Sequence, residues 1–165
     1  HCVRDAGSGG DTALLDHELA YLLLREDDPR HVLALMQPDA LSIPARVDDE
    51  GVARPEAVGP VFSIDPATGD LHMRYTARTR SVAWKDDAAT VAAAARLLGI
   101  LDGDSGLVLR TRLLPGMGLV CNNVLHERSA FVDAPGTPRL LYRARYVERI
   151  AGTGHAWREN ETAGS

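Results

Sequence analysis

The last third of the chain constrains its fold most. Between residues 106 and 150, short stretches of alternating apolar character follow one another with little between them but turns: GLVLRTRLL (106–114), the turn PGMG, LVCNNVL (119–125) and PRLLYRARYVERI (138–150). A period of two is that of a strand with one face covered. Consecutive strands joined by tight turns pair antiparallel, because a parallel pair needs a long crossover. The expectation is therefore a mainly β protein with flanking helices (α+β), an antiparallel sheet or double-sheet roll against which helices pack.

The helices lie upstream. In DDAATVAAAARLLGILDG (86–103), Val91, Ala94, Ala95, Leu98 and Leu101 make an apolar stripe, and Gly103 is a terminator. A second helix follows Asp16, a candidate N-cap, with Leu15, Leu19, Leu22 and Leu23 in helical period. DDPR then breaks the pattern, and Pro29 opens a short third helix. VFSIDPATGDLHMRYTA (61–77) reads as strand, turn and strand, while 37–60, rich in Pro, Asp, Glu and Gly, reads as a long loop broken by strand pieces such as LSIPARV. Residues 1–150 are read as one domain portion and 151–165 as a polar tail.

Composition narrows the function. The 165 residues carry a net charge of -5, which argues against a nucleic-acid partner. No apolar run approaches the roughly 18 residues that span a bilayer, so no membrane partner is expected. Cys2 and Cys121 stand apart and outside any CxxC motif, which reads as two reduced thiols in a cytoplasmic protein. GSGGDT lacks the lysine of a phosphate-binding loop, and no strand clearly precedes it.

Two features remain that bear on chemistry. On an extended strand Arg139, Leu141, Arg143 and Arg145 share one face, and Arg139 and Arg143 stand about 13 Å apart. Two guanidinium groups at that separation can converge on a small dianion, each gripping a carboxylate with paired N–H bonds. The same pattern also fits a solvated outer strand. His126, in CNNVLHERSAF, is the other feature; a lone histidine after an apolar run is equally the mark of an ordinary structural residue.

The spacing of these residues resembles the C-terminal signature of the taurine dioxygenase (TauD/TfdA) family of Fe(II)- and 2-oxoglutarate-dependent oxygenases. The matching positions are Pro115–Gly116, Asn122–Asn123, His126, Arg139 and Arg143; SGGDT (8–12) is similar to the family's Gly-Gly-x-Thr stretch. The resemblance spans about residues 1–150 and is most specific over 121–143. It implies an incomplete double-stranded β-helix (jelly roll), with His126 as the distal iron ligand. It also implies that Arg139 holds the far carboxylate of 2-oxoglutarate, that Arg143 supports the carboxylate nearer the metal, and that Thr12 adds a hydrogen bond. The implied reaction couples decarboxylation of 2-oxoglutarate to succinate with hydroxylation of a small-molecule substrate. Two histidines and a carboxylate on one face of Fe(II) are the usual ligand set for such chemistry.

One part of the pattern is missing. The family's other two ligands come from a His-x-Asp/Glu motif ahead of Gly-Gly-x-Thr, and neither His1, His17, His31, His72 nor His155 begins one. The expectation is that the 165 residues are an N-terminally truncated piece and that the piece alone is inactive. A non-enzymatic carboxylate-binding roll without the metal site, a hydrolase or isomerase on a cupin-like roll, and a domain with no site here stand as rivals. Arg74, Arg78 and Arg80 mark either an anionic substrate pocket or an exposed strand, and Trp84 is expected in the core.

Overall fold

The computed structural model describes residues 1–48, 51–76, 82–103, 106–122, 124–146, 148–150 and 152–153. Its elements in chain order begin with β1 (Cys2–Arg4), β2 (Ser8–Gly9), β3 (Thr12–Leu15), α1 (His17–Asp27) and α2 (Pro29–Leu35). There follow β4 (Leu41–Ile43), β5 (Arg46–Asp48), β6 (Gly51–Arg54), β7 (Ala57–Gly59), β8 (Phe62–Ile64), β9 (Leu71–Met73) and β10 (Ala83–Trp84). The last are α3 (Ala88–Asp102), β11 (Leu109–Thr111), β12 (Leu125–Arg128), β13 (Phe131–Val132) and β14 (Leu140–Leu141).

All the pairings are antiparallel. Three strands make β11–β3–β12 and three make β10–β4–β7; β1–β14, β2–β13, β5–β6 and β8–β9 are pairs. Mainly β with three helices among the described residues is thus the observed class, as the turn-linked strands imply. Among the described residues the strands do not close into a barrel.

Local chemistry sets the helix ends. Asp16 caps α1, its Oδ1 accepting the Glu18 N–H at 2.8 Å, and Asp87 caps α3 by accepting from Thr90 N–H at 2.9 Å. Pro29 occupies the first turn of α2, where its missing N–H costs nothing. The buried faces differ from the expected stripes. In α1 Ala20 and Leu24 are fully buried while Leu19 and Leu22 are 37% and 45% exposed; in α3 Thr90, Ala93, Leu97 and Ile100 face inward while Val91 and Leu98 face out. The cause is close helix packing: where α3 lies against α1 and α2, alanine permits an approach that leucine does not. His17 is buried too, its Nε2–H donating to the Leu71 carbonyl at 2.9 Å.

The core sits between these helices and the hairpins. Leu15, Leu24, Leu35, Leu41, Phe62 and Leu97 fill it, with Tyr21 edge-on to Phe62 at 5.5 Å. Trp84 is half-buried, packed on the core beside Tyr75. After Ile100 no described residue is buried, so the sheet that includes β11 and β12 joins the core only through Leu15, Val108 and Leu125.

Three more expectations are corrected. The 37–60 stretch is not mainly loop but contains β4 to β7. Arg74 does not face a ligand: its guanidinium donates to the carbonyls of Leu41, Ala57, Gly59 and Pro60, which fastens β4 and β7. Arg78 and Arg80 lie outside the described residues. The final strand is two residues long rather than thirteen, because β14 has only the short, irregular β1 to pair with. The tail beyond residue 153 also lies outside the described residues.

Candidate active site

Residues 8–15 meet residues 109–132 at the site. β3 is the centre of its sheet, flanked by β11 and β12: Leu14 pairs with Leu109 and His126, and Thr12 pairs with Thr111 and Arg128. Directly opposed residues of antiparallel strands share a face, so Thr12, Leu14, His126 and Arg128 stand on one side. The histidine lies in the strand itself, not after it as the sequence suggests: β12 begins at Leu125, and 119–122 is not a strand.

His126 has the arrangement of a potential ligand. A carbonyl only accepts, so the 3.2 Å contact between Nδ1 and the Val124 oxygen makes Nδ1 the protonated nitrogen. The lone pair is then on Nε2, in an exposed residue. A backbone carbonyl fixing the tautomer in this way is the usual support of a metal-bound imidazole. Iron fits His126 but finds no complete set here: among the described residues no group of three His, Cys, Asp or Glu side chains is placed to hold a metal ion.

The Gly-Gly turn that leads into Thr12 is stitched to the chain after β12. Ser129 is the hub, its Oγ accepting from Gly10 N–H at 3.1 Å and Asp11 N–H at 3.0 Å, while its own N–H donates to the Asp11 carbonyl at 2.9 Å. Both glycines are required by conformation: φ is 66° at Gly9 and 81° at Gly10. A Cβ on Gly9 would lie 2.2 Å from the Ala130 oxygen, and one on Gly10 would stand 3.5 Å from Arg139 Nε. The Arg139 side chain runs past the turn at ordinary contact distance from Gly10.

Arg139 is half-buried just before β14, its backbone N–H held by Asp133 Oδ1 at 2.7 Å. Its guanidinium carbon lies 5.2 Å from the centre of the Phe131 ring, and that of Arg128 lies 4.3 Å from the same ring. Arg143 is exposed beyond β14 and is not drawn into this group. The structure therefore brings Thr12, His126 and Arg139 to one region and leaves Arg143 apart. A cleft of about 310 Å³ borders Thr12 but opens mainly on the other face of the sheet, that of Ala13, Arg110 and Glu127, with Asp11, Arg112 and Ser129 also lining it. Arg110 faces Glu127 at 3.6 Å and Arg112 faces Asp5 at 3.3 Å.

Sequence reasoning passed over Arg128, Ser129 and Phe131. The signal for Arg128 was its place two residues after His126, which puts both on one strand face; nothing local marks Ser129 or Phe131. The motif asparagine has a visible task. Asn122 Oδ1 accepts from Ile150 N–H at 3.0 Å and its Nδ2 donates to Thr153 Oγ at 2.9 Å, which ties residues 150–153 to the approach to β12. Asn123 lies outside the described residues. In PGMG, the Met117 N–H bonds the Leu114 carbonyl at 2.9 Å around Gly116 at φ 87°, a type II turn with proline and glycine in their preferred places.

A histidine with an outward lone pair beside two arginines and a threonine is the kind of arrangement that an oxygenase using a dicarboxylate cosubstrate displays. The family model of the taurine catabolism dioxygenase TauD, TfdA family matches residues 1–145, and the chain belongs to that family. It is 32% identical over 152 residues to the uridine-5'-phosphate dioxygenase of a Streptomyces sp, an alignment that takes in 89% of this chain and 54% of that protein. The chain thus spans about half the length of this curated relative. A solved structure of an asparagine oxygenase in complex with Fe(II), 2S,3S-3-hydroxyasparagine and succinate superposes with a TM-score of 0.50 at 20% identity, over 70% of this chain and 33% of that one. At that identity the likeness is one of fold.

Proposed function

We propose that the protein is an Fe(II)- and 2-oxoglutarate-dependent dioxygenase that hydroxylates a small, anionic molecule. The observation that carries this reading is the meeting of His126, Thr12 and Arg139 around one glycine turn, in a chain of the TauD/TfdA family. His126 Nε2 would hold the metal, with Nδ1–H fixed by Val124. Bound iron would supply the activation of dioxygen that drives decarboxylation of 2-oxoglutarate to succinate. Arg139 offers the far carboxylate a permanently charged, planar partner, and the Thr12 hydroxyl donates beside it. The family resemblance alone gives Arg143, which stands apart from this group, the carboxylate nearer the metal. The 32% identical relative is named for a nucleoside phosphate, which supports an anionic substrate. A cytoplasmic location is proposed on the two free thiols, Cys2 and Cys121; no helix among the described residues is long and apolar enough to cross a membrane.

The test is an anaerobic titration of the complete protein with Fe(II) and then 2-oxoglutarate. A visible charge-transfer band should develop, and Arg139→Ala should raise the apparent Kd for 2-oxoglutarate at least about tenfold, the loss of a paired charge-assisted contact. An unchanged Kd refutes the assignment of Arg139. Residues 1–165 by themselves contain no His-x-Asp/Glu motif, and succinate release by them above background would refute the dependence on further ligands.

A further inference from the structure

Arg128 lies outside the signature motifs of the sequence, yet it is placed as closely to the site as the residues within them. It stands directly opposite Thr12 in the β3–β12 register and two residues from His126, on the same strand face. Its guanidinium lies on the Phe131 ring at 4.3 Å, and Arg139 shares that ring at 5.2 Å. Phe131 is itself fixed by pairing with Gly9, so ring, turn and both arginines form one unit.

Charge is the telling part. Among the described residues neither guanidinium is in an ion pair, and neither donates a side-chain hydrogen bond to a described residue. The nearby carboxylate of Asp133 accepts the backbone N–H of Arg139. Several arginines elsewhere are satisfied, Arg74 by four carbonyls, Arg96 by Asp27, Arg112 by Asp5 and the Ala6 carbonyl; among those that are not, Arg128 and Arg139 are the pair gathered on one ring. Two like charges gathered on one ring repel each other, and each guanidinium retains unused donors. An anion held by both relieves the repulsion and uses the donors.

We infer that Arg128 is a second carboxylate-binding residue, acting with Arg139 on the far carboxylate of 2-oxoglutarate, and that Phe131 is the positioning residue that holds the two guanidinium groups at one ring. This rests on the proposed 2-oxoglutarate site and adds to it a residue the family signature did not supply.

The experiment measures binding rather than turnover. Anaerobic calorimetric titration of the complete, Fe(II)-supplied protein with 2-oxoglutarate is compared with 2-oxoglutaramate, whose far carboxylate is an amide. Arg128→Gln should weaken 2-oxoglutarate by about tenfold, the loss expected for one charge-assisted contact, and Arg128→Lys should recover part of it. Neither change should alter 2-oxoglutaramate binding, which separates a carboxylate contact from a general disturbance. Phe131→Leu should weaken 2-oxoglutarate in the same selective way, with Phe131→Tyr restoring it. If Arg128→Gln does not fold, as judged by circular dichroism, Arg128→Lys carries the comparison with a smaller selective loss. Equal losses for both ligands overturn the inference. Wild-type binding by Arg128→Gln, with Arg139→Ala impaired, overturns it while leaving the proposed function standing. Should neither arginine matter to 2-oxoglutarate, both readings fall.

Discussion

Replacing Arg74 with alanine should cost the protein stability without touching ligand recognition. The guanidinium donates to Pro60 at 3.2 Å, Ala57 at 3.0 Å, Gly59 at 2.6 Å and also Leu41, so one side chain fastens both strands of the β4–β7 pair and the turn toward β8. Partial burial pushes its pKa down, and the carbonyls offset that cost. The contacts to Leu41, Gly59 and Pro60 are partly buried and that to Ala57 is exposed. Charge-assisted bonds contribute about 1.5–3 kcal/mol when enclosed. Water can replace the guanidinium here, so about 1 kcal/mol for each of the three partly buried contacts is the fitting value, or about 3 kcal/mol together. For a chain of this length that lowers Tm by roughly 6–12 °C, at about 2–4 °C per kcal/mol. Calorimetric melts of the wild type, Arg74→Ala and Arg74→Lys measure it directly. Lysine, a single point charge, should recover little of the fork. A drop under about 2 °C refutes the reasoning, and an unchanged Tm with lost affinity for an anionic substrate would return Arg74 to the pocket.

The remaining expectations probe the site turn, the core and the pH response. Gly9→Ala forces a Cβ to within 2.2 Å of the Ala130 oxygen in left-handed backbone, so 2-oxoglutarate affinity should fall at least about tenfold through displacement of Thr12, roughly the 1–3 kcal/mol that such strain costs; undiminished affinity by titration contradicts the role given to the turn. Leu24→Ala, at a fully buried position, should cost about 2–5 kcal/mol in urea denaturation and Leu22→Ala at most about 0.5 kcal/mol; the reverse order would restore the leucine stripe. Partial desolvation, with further contributions from His17 and Arg149, holds the His72 pKa below its ordinary 6.5. The unfolded chain therefore takes up that proton first: the stability is present above about pH 6.5 and falls as pH drops through the lower folded value. His72→Gln should flatten the melt-versus-pH curve in that window, and an unaltered slope excludes His72 as its source.

How far the sequence spoke depends on the range of the interaction. The Asp16 cap, the Pro115–Gly116 turn and the 61–77 hairpin rest on contacts within a few residues, and each formed where the residues indicated. The helix faces were read one position out, because leucine outweighs alanine on any hydrophobic scale while close helix packing prefers the smaller residue. The 37–60 stretch carries so many prolines and glycines that its strands are visible only through distant partners: β10, some forty residues on, and the Arg74 clamp. At the site, Thr12, His126 and Arg139 were legible through a resemblance whose motif spacing reflects the strand geometry. Arg128 was readable in principle from strand alternation. Ser129 and Phe131 were not, since their partners Gly10, Asp11 and Gly9 lie more than a hundred residues away.

That distance has a physical consequence for the site. Its parts come from residues 8–15 and 109–139, brought together by β2–β13 and by β3 between β11 and β12. The chain between them holds nearly all the buried core, from Leu15 to Ile100. Closing so long a loop costs entropy that grows only slowly with its length, and the helices and hairpins have already covered most of it once their core is formed. The seam itself then needs little burial to close, and it has little: Ala13, Leu14 and Leu15 are buried on β3, while no described residue of β11 or β12 is. The pairing strands are thus held mainly by backbone bonds and by the Ser129 stitch. A ligand that bridges Thr12 on one side to Arg128 and Arg139 on the other would add its binding energy to that weakest junction. On this view the position of the site follows from the economy of the fold: the carboxylate of the proposed cosubstrate would serve as the missing counter-charge of the seam as well as a recognised group.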